Sequence, residues 1–196
     1  VAQDQLTAVV ATAAPDALTV IDVETGAVRQ TWPLTVTPSA FVIAPNGARA
    51  YVLSRTERVV AIIDLATGDT IDELDAGDDP VDLAIHSNSP TLWVSADAAS
   101  PAVHRWALGS LTRTEMPLWG ASAAGDLAIV PAHDMLLALD PASATVHVAS
   151  TIATNFQQTF QGFTSSALTA TKLVVSMDQN TVYVLTPGGF AHHDLL

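Results

Sequence analysis

Between residues 38 and 79 short apolar runs alternate with turn chemistry. Ala40-Phe41-Val42-Ile43-Ala44, Ala50-Tyr51-Val52-Leu53 and Val59-Val60-Ala61-Ile62-Ile63 are separated by Pro45-Asn46-Gly47 and by Ser54-Arg55-Thr56-Glu57-Arg58. A shorter fourth run, Thr70-Ile71-Asp72-Glu73-Leu74, follows the turn Asp64-Leu65-Ala66-Thr67-Gly68. Runs this short, rich in Val, Ile and Leu and bounded by Gly, Pro and Asn, predict strands. Because they are nearly continuous in apolar residues, they predict sheets covered on both faces. Asn46-Gly47 predicts a tight hairpin, since Gly accepts the positive φ that such a turn requires.

The rest of the chain reads as edited copies of this stretch. Pro38 and Pro80 are 42 residues apart, as are Tyr51 and Trp93 within Ala50-Tyr51-Val52-Leu53-Ser54 and Leu92-Trp93-Val94-Ser95. Ile21-Asp22-Val23-Glu24-Thr25-Gly26 and Ile63-Asp64-Leu65-Ala66-Thr67-Gly68 repeat at the same distance. Looser copies of that turn stand at Trp106-Ala107-Leu108-Gly109, Leu139-Asp140-Pro141-Ala142-Ser143 and His193-Asp194-Leu195, giving successive anchor spacings of 42, 42, 34 and 54. The units run roughly over residues 1–37, 38–79, 80–118, 119–150 and 151–196 of a single domain. On this alignment the fourth unit is compressed. The fifth is expanded, with the excess in residues 151–166.

Predicted strands cover residues 6–12, 17–22 and 27–34 in the first unit; 41–44, 49–54, 59–65 and 70–74 in the second; and 81–85, 91–95, 103–108 and 111–118 in the third. Residues 127–131, 135–140 and 145–150 follow in the fourth, and 168–176, 181–186 and 189–194 in the last. No stretch predicts a helix. The first unit lacks an innermost strand and the last lacks an outermost one.

A period of about 40–45 residues with four short strands is the signature of a β-propeller blade. One small sheet cannot cover its own two apolar faces, whereas blades packed face to face can. The expected fold is therefore all-β: a β-propeller of about five four-stranded antiparallel blades, or a segment of a larger, about seven-bladed one. The unmatched terminal units leave open sheet edges that invite pairing with another chain.

Tyr51-Val52-Leu53-Ser54 and Tyr183-Val184-Leu185-Thr186, with Pro-x-x-Val/Phe before them and Ile-Asp-x-x-Thr-Gly after, resemble the YVTN family of β-propeller repeats. The resemblance is good over residues 37–79 and 167–196, fair over 16–34 and 80–118, and poor over 119–150. It implies the fold more strongly than any function. Members of the family include surface-layer proteins, periplasmic binding proteins and relatives of quinone-cofactor dehydrogenases.

Composition narrows the partners. The 196 residues are 49% hydrophobic, ample for a core, and no apolar run approaches the roughly 18 residues that cross a bilayer. No Cys is present, which removes disulfides, thiolate metal sites and thiol catalysis. The start at Val1 rather than Met points to processing or to excision from something longer, and with the lack of Cys suggests an extracellular or periplasmic setting. Net charge is −13, from 20 acids against 7 bases, and Lys172 is the only lysine. A nucleic-acid backbone needs a positive patch and is a poor partner for such a surface. The acidity either attracts cations or a cationic protein face, or only keeps the surface soluble.

Three stretches could carry chemistry. Asp72-Glu73-Leu74-Asp75-Ala76-Gly77-Asp78-Asp79-Pro80-Val81-Asp82 places six acids within eleven residues, where an outer strand crosses to the next inner strand. Carboxylates on a Gly-containing loop suit Ca²⁺, making Asp75, Asp78, Asp79 and Asp82 candidate ligands, although the spacing is not that of a calcium hand. A solvated acidic loop is the plainer reading. His192-His193-Asp194 is the second: adjacent strand residues point to opposite faces, so the two His cannot share a metal without distortion. The third is the aromatic stretch 156–163, with Phe156, Phe160 and Phe163 set among Gln and Thr in what reads as a long loop. Such loops suit partner contact or a cover over the channel, and the same Phe residues could equally cap blades. No nucleophile elbow, phosphate loop or zinc-protease helix motif is present.

The expected function is a non-catalytic propeller module that makes protein–protein contact, with a partner or with itself, in an extracellular or envelope assembly. The resemblance also admits an enzyme or enzyme subunit, similar to quinone-cofactor dehydrogenases or lactonases, with a cation at the channel mouth.

Overall fold

A computed structural model of the chain describes residues 7–118, 120–152, 156, 158–160, 170–187 and 189–195. It divides into two compact units, Val1–Gly77 and Asp78–Leu196. The described residues are all-β apart from one 3-10 turn at Pro131–His133.

The first unit holds two antiparallel sheets, here called blades. In the first, β1 (Thr7–Ala13), β2 (Asp16–Asp22) and β3 (Val28–Pro33) lie in the order β1-β2-β3. In the second, β4 (Ala40–Ile43), β5 (Arg49–Ser54), β6 (Val59–Asp64) and β7 (Thr70–Asp75) lie in chain order from the innermost strand outward. The second unit continues with β8 (Pro80–Ile85), β9 (Thr91–Ala96), β10 (Ala102–Ala107) and β11 (Thr112–Pro117) as blade 3. Blade 4 is β12 (Leu127–Val130), β13 (Met135–Asp140), β14 (Thr145–Ser150) and β15 (Gln158–Phe160). Blade 5 is β16 (Lys172–Val175), β17 (Thr181–Thr186) and β18 (Gly189–Asp194). As expected, blade 1 lacks the inner strand and blade 5 the outer one among the described residues.

The turns follow from side-chain chemistry. Asp64 Oδ1 accepts the amide protons of Ala66 at 2.8 Å and Thr67 at 3.3 Å, and Gly68 closes the turn at φ +82° with its N–H on the Asp64 carbonyl at 2.8 Å. Asp22 does the same with Thr25 at 2.9 Å, and Gly26 closes that turn at φ +69°. Both sheets carry a register irregularity at the matching place, Val20/Ile21 and Ile62/Ile63, where the strand enters this turn.

Register corrects the repeat spacing. Asp22, Asp64, Ala107, Ser150 and Asp194 stand opposite Thr7, Arg49, Thr91, Met135 and Thr181, the first residues of the preceding strands. They are therefore equivalent, and their spacings are 42, 43, 43 and 44. The turn at Leu139-Asp140-Pro141-Ala142-Ser143 joins β13 to β14, one strand earlier in the blade than the turns of Asp22 and Asp64. The fourth unit is accordingly not compressed. Its outer strand is β15, inside what reads as a loop in the sequence.

Strand alternation sorts each blade into two faces. In the first unit, Leu18 and Trp32 of blade 1 share one core with Ala50, Val52, Ala61 and Ile63 of blade 2. In the second unit, Trp93, Val103 and Met116 of blade 3 pack on Leu136, Ala138 and Ala149 of blade 4. Leu137, Leu139 and Val146 of blade 4 then pack on Leu173, Val182 and Val184 of blade 5. Within each unit, then, the front face of one blade meets the back face of the next. At about 25 cal/mol per Å² of apolar surface, these contacts are the main stabilising term of the fold.

Candidate functional site

The inner strands bring together charged residues that sequence spacing left apart. Leu83, Leu127 and Leu173 occupy one register position, opposite Val94, Ala138 and Val184 of the neighbouring strands. The residues just before them are Asp82, Asp126 and Lys172, so one position of three successive blades carries acid, acid and base. Asp82 Oδ2 accepts the Leu127 amide proton at 2.9 Å, and Asp126 Oδ2 accepts that of Leu173 at 2.7 Å. Lys172 Nζ donates to Asp126 Oδ1 at 2.6 Å. The fully buried Ser95 hydroxyl donates to the Gly125 carbonyl at 2.6 Å and accepts the Asp82 amide proton at 3.1 Å. Asp97 accepts the Ala124 amide proton at 2.9 Å.

Electrostatics follow from burial. The Asp82 carboxyl is pushed up to about 7, first because it is buried and then because it shares a hydrogen bond with the Asp126 carboxyl, whose charge adds to the effect. Burial works against the Lys172 ammonium, but its bond to Asp126 and the charges of Asp126 and Asp82 outweigh that and raise its pKa.

Of the four acids expected to ligate a cation, Asp82 is the one in this cluster. Asp75 ends β7 and its Oδ1 accepts the Gly77 amide proton at 2.9 Å. Asp78 is exposed, and Asp79, at φ +50°, gives its carbonyl to the Asp97 amide at 2.9 Å. Among the described residues no group of three or more His, Asp or Glu is placed to hold a metal ion.

The aromatic stretch divides. Phe156 is half-buried, stands edge-on to His147 with ring centroids 6.1 Å apart, and packs on the core between blades 3 and 4. Phe160 lies in β15 opposite Val146. That is the register of Met116 opposite Val103, Leu74 opposite Val60 and Trp32 opposite Leu18, so Phe160 occupies the outer-strand position of a regular blade. Phe163 lies outside the described residues.

Histidines are dispersed. His147 is buried, and burial lowers its pKa while the charge of Asp140 opposes the shift. His86 is buried, takes the Asn88 amide proton on Nδ1 at 3.0 Å, and stands 3.7 Å from Asp134. His192 is exposed beside Tyr183, ring centroids 6.0 Å apart.

That last contact belongs to an uncovered surface. On blade 5 the back-face residues Leu173, Val182 and Val184 are buried, while Val174, Leu185 and Phe190 on the front face are exposed, Phe190 by 69%. Tyr183 is half-buried and meets Phe190 edge-on at 5.8 Å. In blades 3 and 4 the positions of Tyr183, Leu185 and Phe190 are Trp93, Ser95 and Val103, and Leu137, Leu139 and Val146, all fully or almost fully buried. No described residue pairs with the outer edge of β18.

Sequence reading missed Asp126, Lys172 and this face. The first two were recoverable from Asp82-Leu83, Asp126-Leu127 and Lys172-Leu173, had the fourth blade been aligned correctly.

No family model and no curated protein matches the chain. Solved structures do. Hydrazine synthase of Kuenenia stuttgartiensis matches with TM-score 0.77 at 18% identity, over 94% of this chain and 53% of that one. A functionally unknown protein from Desulfotomaculum acetoxidans matches with TM-score 0.81 at 16% identity, over 95% and 61%. The Cps50 (Swd1) β-propeller domain of Myceliophteria thermophila matches with TM-score 0.76 at 11% identity, over 95% and 61%. The chain thus spans 53–61% of the length of these structures, and the likeness shows a propeller fold. Among the described residues no helix is long and apolar enough to cross a membrane.

Proposed function

We propose that this chain is a YVTN-type propeller module that binds protein instead of catalysing a reaction, in an extracellular or envelope assembly. One observation carries the reading. The front face of blade 5 presents Val174, Tyr183, Leu185 and Phe190 to solvent at positions whose counterparts in blades 3 and 4 are covered by the next sheet. An apolar, aromatic-rich patch of this kind is the usual centre of a protein interface. The occupant it fits is a protein sheet stacking as one blade stacks on the next, with a face of Ala, Val, Ile or Leu like the Leu136, Ala138 and Ala149 face of blade 4. The acidic, lysine-poor surface favours a partner with a basic rim.

Light scattering on a size-exclusion column tests this with the isolated chain, for which the partner at hand is a second copy. Association that rises with concentration is expected, and Phe190→Asp together with Leu185→Asp should return the protein to monomer without lowering its melting temperature. A wild-type monomer at high concentration, or association untouched by the double substitution, overturns the reading.

A further inference from the structure

We propose that the uncovered front face of blade 5 takes the back face of blade 1 of a second copy, so that chains join head to tail. This rests on the reading that blade 5 presents a protein-binding face, and it names the occupant.

The joints inside the chain say what such a face accepts. In each of them the front face brings the larger side chains and the back face the smaller. Leu18 and Trp32 lie with Ala50, Val52 and Ala61; Trp93 and Met116 lie with Ala138 and Ala149; Leu137 and Leu139 lie with Val182 and Val184. Large on small lets the two surfaces interdigitate at the density of a protein interior. Tyr183, Leu185 and Phe190 are large, so the cover they fit is a back face of small residues.

Blade 1 carries such a face, and it is open. Val10 stands opposite Thr19, and Thr19 opposite Thr31, so the three share one side of the sheet. Leu18 and Trp32, their neighbours in the strands, point to the other side and into the core with blade 2. By register the counterparts of Val10 are Val52, Ala138 and Val184, which stand opposite Ala61, His147 and Ala191. Each of these packs on the preceding blade and is no more than 1% exposed, whereas Val10 is 41% exposed. Thr19 is half-buried and Thr31 exposed. Their hydroxyls hydrogen-bond each other at 3.3 Å, so a cover need not supply a partner for both.

A second front face is a poorer occupant. It would set Tyr183 and Phe190 against the same rings, large on large, a packing that no joint within the units uses. Charge does not select the second copy: each chain carries a formal −13, so shape has to outweigh repulsion, and association should strengthen as salt screens it. A front-to-back contact joins two different patches. It therefore leaves one of each free after every addition, until a ring closes or a filament grows.

Light scattering on a size-exclusion column, with the full chain and two variants, tests the contact. Phe190→Asp with Leu185→Asp spoils the front face of blade 5, and Val10→Lys spoils the back face of blade 1. Thermal melting checks that each variant is folded. If Val10→Lys lowers the melting temperature, Thr31→Arg takes its place, because it lies at an exposed position of the same face. The wild type is expected to associate and each variant alone to be monomeric. Their equimolar mixture should form a one-to-one pair that stops at two chains, since each variant supplies the face the other lacks. A wild-type monomer refutes the protein-binding reading itself, and this contact with it. Association of the blade 1 variant as strong as that of the wild type leaves that reading standing and sinks the head-to-tail contact, as does a mixture that stays monomeric.

Discussion

Gly68 should be the least replaceable glycine in the first unit, and the reason is a single contact. A Cβ built on Gly68 would lie 1.8 Å from Cδ1 and 2.4 Å from Cγ of Trp32, which crosses from blade 1 to close over the turn of blade 2. No rotation of a methyl relieves an overlap of that size, so Gly68→Ala must expel the indole. Trp32 is buried in the core of this unit, and losing the packing of a buried Trp costs about 3–5 kcal/mol. Forcing Ala into the left-handed region at φ +82° adds about 1–2 kcal/mol. Since some packing is recovered elsewhere, the expected loss is about 3–6 kcal/mol, a large part of the total stability of an ordinary domain.

The repeat supplies its own control. Gly26 closes the equivalent turn of blade 1 at φ +69°, yet nothing lies within 4 Å of its virtual Cβ. Gly26→Ala should therefore cost only the backbone part, about 1–2 kcal/mol. Urea denaturation followed by circular dichroism measures both. A double-mutant cycle with Trp32→Ala completes the test: without the indole, Gly68→Ala should fall to the cost of Gly26→Ala, leaving a coupling of roughly 2–4 kcal/mol. Equal losses for the two glycines, or additivity with Trp32→Ala within about 0.5 kcal/mol, would refute the steric reasoning.

Two further outcomes are expected. Asp140, buried at the β13–β14 turn, accepts from the amides of Ala142 at 3.0 Å and Ser122 at 3.0 Å and from the Ser143 hydroxyl at 2.8 Å; Asp140→Ala strands these donors and should cost about 2–4 kcal/mol in urea unfolding, with Asp140→Asn milder. Asp22 is held down to about 2 by the Arg29 guanidinium and then by the Thr25 amide, so its contribution is present above the ordinary value of 3.8 and is lost as pH falls through about 2; carboxyl chemical shifts should titrate there in the wild type and move up towards 3.8 in Arg29→Gln.

Local chemistry was legible in the sequence wherever it is self-contained. Asn46-Gly47 and the two Asp-x-x-Thr-Gly turns announce themselves because an Asp oxygen and a left-handed Gly satisfy the turn without help from elsewhere. The same property misled the alignment of the fourth blade. Asp140 makes an equivalent cage of hydrogen bonds, and nothing local says which pair of strands it joins. Anchoring on it displaced β15 into an apparent insertion, since Gln158-Thr159-Phe160 has neither the length nor the apolar content that marks a strand. With the fourth blade out of step, Asp126 and Lys172 could not be recognised as partners of Asp82, although the three share one register position.

The uncovered face of blade 5 shows a harder boundary. Tyr51-Val52-Leu53 and Tyr183-Val184-Leu185 are the same three residues on the same strand of two blades, and pattern alone predicts identical burial. Leu53 is 0% exposed and Leu185 is 38% exposed. A strand's alternation records which residues are fit to be covered, because apolar side chains are chosen on both faces of every blade. Whether a covering sheet is present is a property of the neighbour, and no residue within the strand encodes it. In a repeat fold, then, the surface that needs a partner is written in the same residues as the core, and only the comparison of equivalent positions separates the two. Tyr183, Leu185 and Phe190 carry a core sequence at a surface position, so a substitution such as Phe190→Asp should be tolerated by the fold where its counterpart Val146→Asp should not. Equal damage from the two would mean that blade 5 already has its cover.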